Sequence, residues 1–307
     1  MRLVTRSDFD GLACGALLKE AGLIDSFYFT HPKDIQSGLV EITSNDILAN
    51  VPYAPGCGMW FDHHTSEGER LGSISYRGMS RIAPSCARVI YDFLGGPARF
   101  PLHWDPMMEA VDKVDSADLS LQEIDAPTDW ILIGYIMDPR TGLGRFRDFR
   151  ISNLQLMMEM IEYCRTMTAS EILTRPDVQE RVNRYFEQEA LFRNMLKRCC
   201  QMVGDVLIID LRAEESIYVG NRFLVYAMYP ECKVSIHVGW VKERQNVALS
   251  MGNSIINRSS QANLGSIALH FGGGGHEAVA TCQINPKDVD NTLETIINYI
   301  HEENAAS

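Results

Sequence analysis

The sequence has 307 residues, of which 46% are hydrophobic and 22% are charged, with a mean hydropathy of −0.11. These values are typical of a soluble globular chain and exclude the disordered and fibrous classes. No apolar run approaches the roughly 20 residues that a membrane helix needs. The first residues also reach charged positions too soon for a signal peptide. We therefore expect a cytoplasmic protein with no membrane partner.

The net charge of the chain limits the kinds of molecule that it is expected to bind. Asp and Glu number 40 against 28 Lys and Arg, which gives a net charge of −12. A long nucleic acid is disfavoured because its phosphate backbone would be repelled, whereas a small anion bound by local cations or a metal is compatible. The eight cysteines form no C-x-x-C pair, so we interpret them as buried reduced thiols rather than as zinc ligands or disulfides.

The first part of the chain alternates between strand and helix patterns. Apolar runs predict strands at 3–5, 26–30, 46–49 and 58–61. Helical patterns follow the first strand up to Gly22, and recur at 84–93 and 106–114. Such alternation is typical of a parallel α/β sheet, whose functional residues gather at the carboxyl ends of the strands.

The remainder of the chain divides into a helical stretch and a β-rich one. Residues 151–202 are mostly helical in pattern, and their many methionines are interpreted as core filler. Strands are then predicted at 206–211, 233–241 and 246–251, and a last helix at 289–300. We expect a domain boundary near residue 202, with domains at 1–202 and 203–307.

Two carboxylates follow the first predicted strand, in the turn RSDFDG at positions 6–11. Asp8 and Asp10 can both be aimed at a hard cation, and Gly11 lets the backbone turn tightly. An Asp here can also serve simply as a helix N-cap. One Asp is enough for a cap, which leaves the second unexplained.

A carboxylate and two imidazoles end the apolar strand at 58–61, as Asp62-His63-His64. Histidine is the commonest transition-metal ligand, and an adjacent Asp can coordinate the metal or hold an imidazole in the right tautomer. A chance pair of surface histidines is the alternative. Because the chain has only eight histidines, we favour a functional role.

Four consecutive glycines, Gly272 to Gly275, precede His276. We expect them at the mouth of a short helix, where backbone N–H groups can bind an anion and His276 can add a donor. A flexible loop is the alternative.

A second set of candidate residues is the group of arginines at 140, 145, 147 and 150, which are interleaved with two phenylalanines. These side chains could stack on nucleotide bases, but we favour the interpretation that they lie in a solvated loop.

Together and in this order, the three motifs resemble the DHH superfamily of phosphoesterases, named for the Asp-His-His found here at 62–64. The resemblance covers nearly the whole chain and is greatest to the exopolyphosphatase-like or oligoribonuclease-like group. It implies an α/β fold with an N-terminal parallel-sheet DHH domain, a helical connection and a smaller C-terminal α/β domain. That smaller domain, at 203–307, would be the DHH-associated substrate-binding domain.

The resemblance also implies a divalent metal centre, usually of two manganese ions. The metal ligands that it implies are Asp8, Asp10, His63 and Asp115, the last chosen over Asp112 and Asp118, which lie one helical turn on either side of it. The catalytic residues that it implies are His64, which would face the phosphate, and Asp62, which would orient it. The substrate-binding residues that it implies are Arg258, Gly273, Gly274, Gly275 and His276.

Two positions depart from the family pattern. Arg6 stands where the family has its first His, and Asn50 stands where it has the Asp of the second motif. Arginine is only a donor and stays protonated, so it cannot bind a metal, and Asn supplies no negative charge to bridge two cations. We therefore expect a one-metal or asymmetric centre, with Arg6 acting as a third catalytic residue that replaces the charge of the missing cation. Arg6 could instead merely neutralise Asp8.

The sequence thus predicts a metal-dependent phosphodiesterase that cleaves very short oligonucleotides or linear dinucleotides to mononucleotides, in a cleft between its domains. The second hypothesis is an exopolyphosphatase or other phosphoanhydride hydrolase. The third is a catalytically silent nucleotide-binding regulator. A homodimer is expected to be possible.

Overall fold

The structure is a computed structural model that describes residues 1–64, 74–241 and 244–305. The chain divides into two compact units. The first comprises Met1–Leu119 and Ala126–Tyr185, and the second comprises Ser120–Asp125 and the chain from Phe186 onward. The division therefore falls inside one long helix, Pro176–Cys199, and the expected boundary at residue 202 stays a prediction.

The first unit is built on a five-stranded parallel sheet with the order β2-β1-β3-β4-β5. Its strands are β1 Arg2–Thr5, β2 Ser26–Phe29, β3 Asp46–Ala49, β4 Met59–Asp62 and β5 Gly78–Ser80. The residues of β3 and β4 are all buried, as expected for central strands of a sheet covered on both faces. The expected parallel α/β fold is confirmed, although the sequence did not predict β5.

Helices follow the strands in this unit. They are α1 Phe9–Glu20, α2 Pro32–Gln36, α3 Cys86–Phe93, α4 Asp105–Ser116, α6 Asp129–Met137, α7 Asn153–Thr166, α8 Ala169–Leu173 and the first part of α9 Pro176–Cys199. The short helix α5 Leu121–Asp125 belongs to the second unit. Side-chain caps start several of them: Asp8 accepts from the Gly11 amide at 3.0 Å and Ser85 accepts from the Arg88 amide at 3.0 Å. None of the described helices is long and apolar enough to cross a membrane.

The second unit contains a six-stranded sheet with the order β10-β11-β9-β8-β7-β6, in which only β7 and β8 pair in parallel. Its strands are β6 Cys200–Val203, β7 Val206–Asp210, β8 Val234–Trp240, β9 Val247–Asn253, β10 Gly274–His276 and β11 Val279–Ile284. Its remaining helices are α10 Leu224–Met228, α11 Leu264–Leu269 and α12 Val289–Ala305. The inner residues of the sheet pack with α11 and α12 into one buried apolar cluster.

The glycine run departs from its expected position. The run follows the end of α11 rather than opening a helix, and Gly274 and Gly275 belong to the edge strand β10, which pairs antiparallel with β11. A Cβ on Gly273 would clash with the Thr281 carbonyl, so the neighbouring strand demands glycine there. The prediction of a helix mouth is wrong, because the run leads into the strand β10, and the close approach of β11 accounts for Gly273 and Gly275.

Candidate functional site

The polar motifs of the first unit meet at one edge of its sheet. The turn at 6–11 follows β1, Asn50 follows β3, and Asp62 to His64 close β4. Because the strands are parallel, their carboxyl ends lie at the same edge. The strand order reverses between β1 and β3, and such a switch point is where ligands bind in open α/β sheets.

Asp10 is a buried carboxylate held by the start of α3. Its two oxygens accept hydrogen bonds from the backbone amides of Cys86, at 2.9 Å, and Ala87, at 2.7 Å. Burial, together with the nearby charge of Asp8, raises the pKa of Asp10 to about 7. A nearby cation would therefore stabilise the ionised form of Asp10.

His63 directs one ring nitrogen at two carboxylates. Its Nδ1 lies 3.1 Å from the Ala83 carbonyl oxygen, so the tautomer that donates from Nδ1 to this carbonyl carries its lone pair on Nε2. Nε2 lies 3.2 Å from Asp115 Oδ2 and 3.9 Å from Asp10 Oδ2. It is buried and forms no hydrogen bond within the described part of the chain. His63 Nε2 and the carboxylates of Asp10 and Asp115 are therefore three acceptors that face one another with no hydrogen-bond donor between them.

Asp115 is the acid of α4 that lies beside His63. Burial, and then the charge of Asp10, raise its pKa to about 7. Asp112 instead accepts hydrogen bonds from Ser85 at 2.7 Å and from Arg88 at 2.8 Å, and Asp118 is exposed beyond the helix end.

These three residues fit a divalent cation. Single ligand atoms of Asp10, His63 and Asp115 all lie within 4.8 Å of one another. An imidazole lone pair and two carboxylates suit Mn²⁺ and related ions. The buried, unpaired Nε2 and the two raised pKa values mark a site where a bound cation would relieve the repulsion between the carboxylates.

Asp8 lies outside that group of three and is otherwise engaged. One oxygen accepts from the Gly11 amide and from Asn50 Nδ2, at 3.0 and 3.2 Å, and the other lies 3.0 Å from Arg6 Nε. The Asn50 side-chain oxygen is buried and has no hydrogen-bond partner among the described residues. Arg6, Asp8 and Asn50 thus form a charge-neutral array where the family pattern places further metal ligands.

Asp62 positions His64. The Asp62 carboxylate is fully buried and lies 2.9 Å from His64 Nδ1. Burial opposes charge on the imidazole, but the hydrogen bond and charge of Asp62 outweigh it, so the pKa of His64 is raised above its ordinary value. His64 lines a pocket of about 140 Å³, together with Arg6, Asn50 and Gln36.

Arg140 is a residue that the sequence reasoning placed in a solvated loop. Its pKa is raised: burial opposes this, but the hydrogen bond and charge of Asp138, and then the charges of Asp8 and Asp115, outweigh it. Arg140 therefore lies near the acidic site. Only the spacing Asp138-Pro139-Arg140 at the end of an apolar helix could have indicated a fixed guanidinium.

The residues of the second unit that were expected to bind substrate lie in different structural elements. Arg258 is exposed and donates from Nε to the Ile255 carbonyl at 2.6 Å, and its backbone is left-handed with a φ of 53°. Gly275 and His276 lie in the edge strand β10. The substrate role of Arg258, Gly273, Gly274, Gly275 and His276 stays a prediction.

Comparison with known proteins defines the class. The chain matches no family model and no curated protein. Among solved structures, it is 46% identical to the pGpG-specific phosphodiesterase PggH of Vibrio cholerae, with a TM-score of 0.85 over 98% of this chain and 99% of that one. The fold and the site thus define a phosphoesterase.

More distant structures share the fold. An exopolyphosphatase-related protein from Bacteroides fragilis is 12% identical, with a TM-score of 0.53 over 99% of this chain and 92% of its own. RecJ from Thermus thermophilus in complex with Mn²⁺ is 13% identical, with a TM-score of 0.52 over 98% of this chain and 52% of its own. The chain belongs to the DHH superfamily of phosphoesterases, as the motifs implied.

Proposed function

We propose that this protein hydrolyses the phosphodiester bond of a short linear dinucleotide, with pGpG as its substrate, to give two molecules of GMP. The observation that carries the proposal is the 46% identity to a pGpG-specific phosphodiesterase over almost the full length of both chains. The net charge of −12 supports a short substrate over a long nucleic acid.

Asp10, His63 and Asp115 are the residues that would hold a divalent metal, for which we propose Mn²⁺ at one ion per chain. The buried lone pair of His63 Nε2 supports this assignment. A divalent cation, when bound, supplies positive charge near the phosphate and lowers the pKa of water. The Mn²⁺-bound RecJ structure makes manganese the first ion to test.

Arg6 would bind the phosphate. Asp8 holds its Nε, so the outer nitrogens of the guanidinium fork are available at the pocket beside β3 and β4. A planar guanidinium can grip two phosphate oxygens and stabilises the negative charge that gathers on them during hydrolysis. Asp8, predicted as a metal ligand, would then serve mainly to orient Arg6.

His64 would stabilise the same phosphate from the other side of that pocket. Asp62 holds the proton on His64 Nδ1 and favours the charged ring. A charged His64 can donate from Nε2 to a phosphate oxygen or to the departing sugar oxygen. We further propose that Arg258, the glycines Gly273 to Gly275 and His276 bind the substrate. We also propose that the protein is cytoplasmic and forms a homodimer.

A panel of substrates with Mn²⁺ tests the function. We expect rapid cleavage of pGpG to GMP and slow release from a long single strand, with no release of orthophosphate from polyphosphate. Orthophosphate release alone would replace the proposal by a phosphoanhydride hydrolase. Tight pGpG binding without turnover, in protein shown to contain metal, would replace it by a silent regulator.

A further inference from the structure

A fixed guanidinium stands at the end of α6. The Asp138 carboxylate is buried and accepts from the Arg140 backbone amide at 2.8 Å, and from Arg140 Nε at 2.8 and 3.1 Å. The Asp138 carbonyl accepts from the Thr141 hydroxyl at 2.8 Å, which closes the same turn. Hydrogen bonds therefore fix both ends of the segment 138–141.

The Arg140 side chain is tied only at Nε. Its two outer nitrogens, Nη1 and Nη2, form no hydrogen bond with the described residues, and 47% of the side chain is exposed. A guanidinium clamped at Nε presents its two outer nitrogens as a fork of fixed direction. That arrangement suits an oxyanion better than a purely structural ion pair does, since a structural pair would engage the outer nitrogens as well.

The segment lies beside the turn that follows β1. A cavity of about 130 Å³ has Ser7 of that turn on its wall together with Asp138 and Pro139. The charges of Asp8 and Asp115 both act on Arg140, so its guanidinium stands near the proposed metal ligands. Arg6 lines a different pocket, the one next to His64.

Each of the two arginines at the site is paired with one carboxylate and keeps donors for a substrate. One divalent ion balances Asp10 and Asp115, and Arg6 balances Asp8. A phosphodiester adds one negative charge, and its transition state concentrates more charge on the same oxygens. Asp138 balances Arg140 in the same way, but the outer nitrogens of Arg140, which Asp138 does not engage, can donate hydrogen bonds to those oxygens.

We propose that Arg140 is a further catalytic residue of the reaction, which binds a non-bridging oxygen of the substrate phosphate, and that Asp138 is its positioning residue. This inference rests on the proposed function. Two arginines and one metal would then surround the phosphate. The segment would supply N–H donors to the phosphate where two-metal centres place a second cation.

The test compares Arg140→Ala, Arg140→Lys and Asp138→Asn in the full-length, Mn²⁺-loaded protein. Arg147→Ala is the matched control, because Arg147 is exposed on the same loop. We expect Arg140→Ala to lower kcat for pGpG by about 10²- to 10³-fold with unchanged metal content and melting temperature. Arg140→Lys should recover only part of the loss, since an ammonium lacks the fork. Asp138→Asn should lower kcat by about tenfold.

Two readouts separate catalysis from folding. Added guanidinium or methylguanidinium should restore part of the turnover of Arg140→Ala and do nothing for Arg147→Ala. The affinity of the Mn²⁺-loaded protein for inorganic phosphate should fall about tenfold in Arg140→Ala. That binding assay does not need the correct substrate, so it still tests Arg140 if the wild-type protein fails to cleave pGpG and the proposed function falls. Turnover and phosphate affinity of Arg140→Ala within twofold of the wild type would overturn the inference, as would a loss of activity that guanidinium leaves unchanged.

Discussion

Neutralising Asp115 should make the metal-free protein more stable while removing its response to metal. Asp10, His63 and Asp115 converge without a donor between them, and both carboxyls have pKa values raised to about 7. At pH 8 the metal-free protein therefore holds two charges that burial and mutual repulsion disfavour. Asp115→Asn removes one charge and the repulsion between the two.

The size of the effect follows from the separation of the groups. Two unit charges within 4.8 Å of each other repel by about 3 kcal/mol at an effective dielectric constant of about 20. A carboxyl whose pKa is higher in the folded than in the unfolded state gives its full stabilisation below the unfolded value, near 4, and loses it as the pH rises to 7. The gain from Asp115→Asn should therefore be large at pH 8 and small at pH 5.

Thermal unfolding at both pH values, with chelator and with Mn²⁺, measures this. In chelator at pH 8, Asp115→Asn should melt several degrees above the wild type, at about 2–4 °C per kcal/mol. Mn²⁺ should stabilise the wild type and leave the variant unchanged. Glu109→Gln, which removes an exposed acid from the same helix, should change little in any buffer. A lower melting temperature for Asp115→Asn in chelator at pH 8, or an undiminished response to Mn²⁺, would refute the reasoning.

Three further predictions concern metal and substrate. His63→Ala should abolish both metal binding and turnover, whereas His64→Ala should keep the metal and lower kcat at least 10²-fold; elemental analysis beside kinetics checks this, and metal retained by His63→Ala would contradict it. The pair Arg6→His and Asn50→Asp should raise the metal count from about one to about two per chain; two ions in the unmodified protein would disprove the one-metal centre. Substrates of two to five nucleotides should be cleaved far faster than long RNA, and equal rates per end would count against the short-substrate model.

The sequence was sufficient to locate the sheet and its functional edge. The runs that become β3 and β4 are apolar and end in polar residues, so their burial and direction could be predicted from local pattern alone. The choice of Asp115 was a weaker inference, because Asp112 and Asp118 lie one helical turn away. Long-range contacts distinguish them: Asp112 is bound by Ser85 and Arg88, a pairing that no local pattern encodes.

Other features depended on tertiary structure. Glycines carry no side-chain periodicity, so the strand at Gly274–His276 could not be predicted without its partner β11. The nearness of Arg140 to Asp8 and Asp115 arises because residues more than 20 positions apart in sequence lie at one edge of the sheet. Its fixed geometry comes from Asp138, for which the spacing Asp138-Pro139-Arg140 after an apolar helix is the one local signal.

Hydrolysis of pGpG in ¹⁸O-labelled water with Mn²⁺ shows which bond of the substrate the protein cleaves. The two nucleotides share one scissile phosphate, so cleavage at that bond with release of the 3′ oxygen places one label in one of the two products. Mass spectrometry should then find a single ¹⁸O in the phosphate of half of the GMP, and none from protein carrying His63→Ala. Label found only in orthophosphate, with GpG as the other product, or pGpG left intact, would contradict the account.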